Sequence, residues 1–209
     1  MRIGRGIAVL AVIVAVPTVA VAQTGGSSQV WGVLGGLNIS SVGGSDAQNT
    51  SSKVGFTLGA FMRWPIDDMW SLHTELDYVR KGTKFNDNGA QGEVAIGYVE
   101  VPVLFRGTTG DKDFRMYGEA GPAFSFKATC SVSLKVNGVA QAATCDDAGP
   151  FKSFDAGLAV GAGFEIPMGD YGFTAGVRYN YGFLKVLDQS GGGNDVKSRN
   201  LQFLAGVRF

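Results

Sequence analysis

The residues with the widest chemical range lie close together: Ser71, His73, Glu75 and Asp77 alternate along one short segment. A hydroxyl, the chain's sole histidine and two carboxylates are the parts of a nucleophile, a general base and its orienting acid. A hydrolase or acyltransferase working on lipid would use them in those roles. In extended backbone, however, residues two apart project from the same face. One strand then aims the four side chains together, and a histidine inside a polar interior network accounts for them without catalysis. The sequence favours that reading, with no catalytic residue. With two cysteines and one histidine, no four-ligand thiolate or Cys/His zinc set can form, so no metal and no cofactor are expected. Gly191-Gly192-Gly193-Asn194-Asp195 lacks the Lys-Ser or Lys-Thr ending of a phosphate-binding loop and reads as a flexible external connection.

Cys130 and Cys145 fall in one long connection. In an exported chain a disulfide between them would close a loop of about 15 residues and remove about 3 kcal/mol of unfolded-state freedom. The alternative is a pair of reduced thiols. A braced loop of this kind serves either as a binding surface for an extracellular protein or as protection against proteolysis.

Export is written at the amino terminus. Arg2 and Arg5 precede the apolar run Ile7 to Val16, then Pro17 and Ala20-Val21-Ala22 before Gln23. Charged, apolar and small-residue zones in that order predict a signal peptide over residues 1–22, a short segment over 23–29 and one domain over 30–209. The apolar run is shorter than the roughly 20 residues of a spanning helix. Basic and acidic residues balance at 18 each, so no field exists to attract nucleic acid.

Period two dominates the rest of the chain. Tyr171, Phe173, Ala175, Val177, Tyr179 and Tyr181 alternate with Gly172, Thr174, Gly176, Arg178, Asn180 and Gly182, and Leu201, Phe203, Ala205, Val207 and Phe209 form a similar face. Eight strands are predicted, at 30–40, 54–65, 70–82, 93–107, 113–127, 153–166, 171–184 and 198–209. Soluble strands average about five or six residues, whereas tilted membrane-crossing strands need about nine to eleven. The connections alternate between long (Ser41–Lys53, Thr83–Gly92, Ala128–Lys152, Lys185–Lys197) and short (Ile66–Met69, Thr108–Lys112, Pro167–Asp170), as in barrels with external loops and periplasmic turns. The expected fold is all-β, an eight-stranded antiparallel up-and-down transmembrane β-barrel with a closed polar interior.

Aromatic residues near strand ends, at Trp31, Trp64, Trp70, Tyr78, Phe105, Tyr171 and Phe209, suit two interfacial girdles. Parity places Arg63, Arg106, Arg115, Arg178 and Arg208 inside with Glu75, Asp77, Glu100, Glu119, Asp155 and Glu165. Guanidinium forks and carboxylates near balance would plug a barrel this narrow. A narrow passive channel and a soluble lipocalin-like barrel with its faces reversed are the alternatives. Arg80 and Arg199 fall on the lipid side at external strand ends, and with Lys81 and Lys84 they are candidate contacts for lipopolysaccharide phosphates, or else a solvated rim.

Gly36-Leu37-Asn38, Tyr78-Val79-Arg80-Lys81-Gly82, Tyr98-Val99-Glu100-Val101-Pro102, Gly118-Glu119-Ala120-Gly121-Pro122, Gly161-Ala162-Gly163-Phe164-Glu165 and Gly206-Val207-Arg208-Phe209, spread over residues 29–209, resemble the bacterial outer-membrane β-barrel domain family, PorT-like or porin-family. By shape the small OmpA and OmpX type barrels are similar. The resemblance implies the outer membrane of a Gram-negative bacterium, insertion by the barrel assembly machinery with Phe209 as its recognition residue, and lipid and lipopolysaccharide as neighbours. It implies no particular activity, since one fold hosts many. A structural or surface-interaction role with loop-borne specificity is expected, with an outer-leaflet lipid-modifying enzyme as the alternative.

Overall fold

The structure is a computed structural model, and it describes residues 29–43, 50–87, 90–136, 139–141, 153–185 and 197–209. Residues 1–22, where a signal peptide is expected, Cys145 and the glycine-rich segment at 191–195 lie outside the described residues. Alternating apolar and small or polar residues form β1 (Val30–Gly43), β2 (Thr50–Pro65), β3 (Trp70–Asp87), β4 (Ala90–Gly110), β5 (Arg115–Val136), the short β6 (Val139–Gln141), β7 (Phe154–Met168), β8 (Tyr171–Lys185) and β9 (Lys197–Arg208). Each long strand pairs antiparallel with its sequence neighbour, β1 with β9 and β5 with β7, closing an eight-stranded barrel. β6 folds back on β5 as an added hairpin outside the ring.

Two short turns share one device. The Asp67 Oδ1 accepts hydrogen bonds from the main-chain N–H groups of Met69 (2.8 Å) and Trp70 (2.7 Å). Asp111 does the same for Asp113 (2.9 Å) and Phe114 (2.8 Å). An aspartate that satisfies the chain two and three residues on stands in for a backbone turn. The third turn uses Gly169 at φ 66°, a conformation that costs a residue with a Cβ.

The two faces are inverted relative to a water-soluble barrel. Val33, Leu37, Leu58, Leu76, Val160, Val177 and Phe203 are exposed on the outside. Asn38, Thr57, His73, Glu75, Glu100, Arg178 and Gln202 are buried within. An apolar exterior around a polar core is what lipid demands, and it removes the lipocalin-like alternative. Trp70 stacks on Phe105 at 4.7 Å near the turns. Toward the other end Phe56 meets Tyr78 at 6.0 Å and Phe126 meets Phe154 at 5.2 Å. These contacts mark the two girdles.

The expected long loop at 83–92 is instead strand: β3 and β4 remain paired up to Asp87 and Ala90, and β5 runs on to Val136. Polar Lys84, Asn86 and Gln91 carry no apolar alternation because this part of the sheet rises past the girdle, where no lipid requires it. Cys130 accordingly lies within β5, not in a loop. A register shift between Gly97 and Tyr98 flips the β5 alternation, so Cys130 and Val132 pack inward against Val94, Ile96 and Tyr98. Such an insertion is a β-bulge, which re-aims every side chain beyond it. Cys130 is disulfide-bonded, and Cys145 is the only other cysteine in the sequence.

Candidate functional site

The barrel interior is crossed by two chords. Arg63 on β2 reaches Glu165 on β7, Nη1 to Oε2 at 2.8 Å and Nη2 to Oε1 at 3.4 Å. Arg178 on β8 grips Glu75 on β3, Nη1 to Oε2 at 2.5 Å and Nη2 to Oε1 at 2.6 Å. In the strand order each pair sits on diametrically opposite walls, so each bidentate pair spans the lumen at its full width.

Shorter links tie these chords to the sides. Arg178 also donates to Glu119 Oε1, from Nε at 3.1 Å and Nη2 at 2.7 Å. Arg106 donates to Glu119 Oε2 from Nε at 2.8 Å and Nη2 at 2.5 Å. Arg106 lies over the Tyr117 ring at 4.0 Å. His73 Nε2 sits 2.7 Å from Glu75 Oε1, and its ring is 5.0 Å from that of Phe61. Arg208 Nε adds a second donor to Glu165 Oε1 at 2.7 Å. Nearer the external end, Glu100 accepts from Lys81 Nζ at 2.6 Å, Ser125 Oγ at 2.8 Å and Asn180 Nδ2 at 2.6 Å.

Glycines on the adjacent strands make room for this network: Gly161 pairs in register with Glu119, and Gly172 with Arg208. A Cβ at Gly161 would lie 3.1 Å from Glu119 Oε1, and one at Gly172 2.5 Å from Arg208 Nε. These inward glycines on β7 and β8 thus leave space for the long side chain of the residue paired beside them.

Two expected placements are corrected. Arg115 is not inside: it is the first residue of β5, exposed at the rim, and its Nε donates to the Asp111 carbonyl at 3.3 Å. The carboxylate beside it in register, Glu165, is already held by Arg63 and Arg208. Lys81 is not a lipid-side contact. It shares the parity of Glu75 and Asp77, is 8% exposed and is bonded to Glu100, because consecutive strand residues face opposite ways. Asp155 lies against Gly182, where a Cβ would be 2.7 Å from its Oδ2. Asp77 is inside at 1% exposure, but neither of its oxygens receives a donor among the described residues. Ser125, Asn180, Gln202 and Asn38 also face inward; parity was the signal that marks them, though neutral side chains attract less notice than charges.

The Ser71, His73, Glu75 and Asp77 group does not assemble as a nucleophile and base. Ser71 Oγ donates to the Arg106 carbonyl at 3.5 Å, and His73 is 1% exposed. Among the described residues no three His, Cys, Asp or Glu side chains are grouped to hold a metal. On the outer surface, Arg80 and Arg199 are exposed. Arg80 follows Tyr78 on the same face, and Arg199 pairs across strands with Tyr181, so both stand at the external girdle. The side chain of Lys84 lies outside the described residues.

A family model described as outer membrane protein beta-barrel domain matches residues 21–188. No curated protein sequence matches. Among solved structures the chain is similar to the outer membrane protein OprG from Pseudomonas aeruginosa, at 15% identity and a TM-score of 0.50, covering 87% of this chain and 95% of that one. It is similar to Neisserial surface protein A at 19% identity and 0.49, covering 85% and 95%. It is also similar to Ail, the attachment invasion locus protein of Yersinia pestis, at 18% identity and 0.43, covering 88% and 100%.

Proposed function

Because the chain belongs to the outer membrane protein β-barrel domain family and is located in the outer membrane, we propose that it is a closed, non-catalytic barrel with a structural or surface-interaction role. The observation that carries this reading is the pair of full-width chords, Arg63 to Glu165 and Arg178 to Glu75. An eight-stranded barrel has an interior just wide enough for side chains. Charged groups that satisfy one another across it hold the lumen shut without burying a lone charge. Specificity then rests with what projects outside, the extended β3–β5 sheet and the β6 hairpin, which offer a surface to an extracellular partner.

In this reading Arg80 and Arg199 anchor the barrel to lipopolysaccharide. A guanidinium at girdle height on the lipid side meets phosphate oxygens with a bidentate fork, a charge-assisted bond stronger than a neutral one. In this reading assembly uses the aromatic Phe209, which follows β9, as its recognition element. The test is conductance of the refolded protein in planar bilayers, with lipid A analysed by mass spectrometry after expression. A closed barrel gives no steady single-channel steps and leaves lipid A unchanged. Regular ohmic steps would make it a channel, and a lipid A product lost in His73→Ala would make it an enzyme.

A further inference from the structure

At the periplasmic end the lumen opens into a polar vestibule of about 480 Å³. Its floor is Arg63 and Arg208, and both guanidiniums bind the same carboxylate, Glu165. Two positive charges therefore share one negative charge, and both Glu165 oxygens are occupied. Arg208 uses only its Nε in that contact. Its side chain keeps 15% exposure while lining the vestibule, so the terminal nitrogens of the fork stay open to it. Gly172 fixes the pose, since a Cβ there would fall 2.5 Å from Arg208 Nε and 3.0 Å from Cζ.

The rim carries three carboxylates, Asp67, Asp68 and Asp111, against Lys112 and Arg115; Asp67 and Asp111 each turn one oxygen to two main-chain N–H groups, and all three are exposed, where salt screens them. Arg115 and Lys112 stand beside them on the same rim, and neither pairs with a carboxylate among the described residues.

We propose that the vestibule is an oxyanion site, in which the open fork of Arg208, with Arg63 behind it, takes two oxygens of a phosphate group. A pre-placed guanidinium with unused parallel donors matches phosphate geometry. The group is carried either by a soluble periplasmic phosphate or by a phospholipid headgroup at the inner leaflet.

The experiment follows the Arg208 Nε–H resonance of the full chain in uncharged maltoside micelles, with inorganic phosphate replacing chloride at constant ionic strength. The expected result is a saturable shift, with phosphate preferred over chloride by about tenfold or more, and loss of that shift in Arg208→Gln. Because Arg208→Gln alters a strand that closes the barrel, the wild-type titration decides by itself: an equal, non-saturating drift in both anions overturns the proposal. Repeating the spectrum in phospholipid nanodiscs identifies the source. A resonance already at its phosphate-bound position points to the headgroup, and one that moves only on adding phosphate points to the soluble anion.

Discussion

Arg178 and Glu75 face each other across the full width of the barrel and meet through two parallel hydrogen bonds of 2.5 and 2.6 Å. Both are almost fully buried. Arg178→Ala leaves Glu75 and Glu119 without their shared cation, and breaking a buried pair from one side costs about 3–5 kcal/mol. The temperature at which the compact form disappears from unboiled SDS gels should fall accordingly. The double variant Arg178→Leu with Glu75→Leu removes both charges together and should recover part of that loss.

Asp77 gives the opposite expectation. It has no donor to lose among the described residues, while Glu100 has three. Asp77→Asn is expected to be neutral or stabilising, and Glu100→Gln to destabilise by about 1–3 kcal/mol. Urea unfolding followed by tryptophan fluorescence in lipid vesicles compares the two. A larger loss from Asp77→Asn would show that its carboxylate is held by a cation.

Much of this interior was legible because alternation has a period of two and lipid enforces it. Arg63, Arg106, Arg178 and Arg208 follow parity, as do Glu75, Glu119 and Glu165. Which carboxylate each arginine meets was not legible, because Arg178 and Glu75 are 103 residues apart and their meeting depends on ring closure. Lys81 follows Arg80 in a basic run, but its parity with Asp77 turns it inward to Glu100. The strand between Thr83 and Gly92 was hidden because beyond the girdle no apolar face is required. The shift at Gly97 and Tyr98, which turns Cys130 inward, leaves no mark in composition.

Glycine positions separate by what a methyl group would strike. At Gly36 it would run into the main-chain oxygen of Phe203, whereas at Gly118 nothing lies within 4 Å. Gly36→Ala should cost about 1–3 kcal/mol as the backbone shifts, and Gly118→Ala should stay within about 0.5 kcal/mol of wild type. Refolding yield and thermal loss of the compact form measure both.

The Asp111 turn carries a pH dependence. Hydrogen bonds from the Phe114 and Asp113 main-chain N–H groups hold its carboxyl below the usual carboxylate value. A depressed folded value means that the turn gains from ionisation above the unfolded value and loses that gain as pH falls through the folded one. Amide exchange at Asp113 and Phe114 should therefore accelerate at acid pH beyond its intrinsic trend. The acceleration should vanish in Asp111→Asn, whose side chain does not titrate there.

The claim on which the account rests is that the lumen is shut to water, and a cysteine at Thr57 tests it most directly. Thr57 is inside at 0% exposure and accepts from Asn38 Nδ2 at 3.3 Å. With the wild-type chain as blank, Thr57→Cys in lipid vesicles is treated with a membrane-impermeant maleimide before and after boiling in SDS. The account predicts labelling only after boiling. Rapid labelling of the folded, unboiled form would contradict it and show a water-filled path through the barrel.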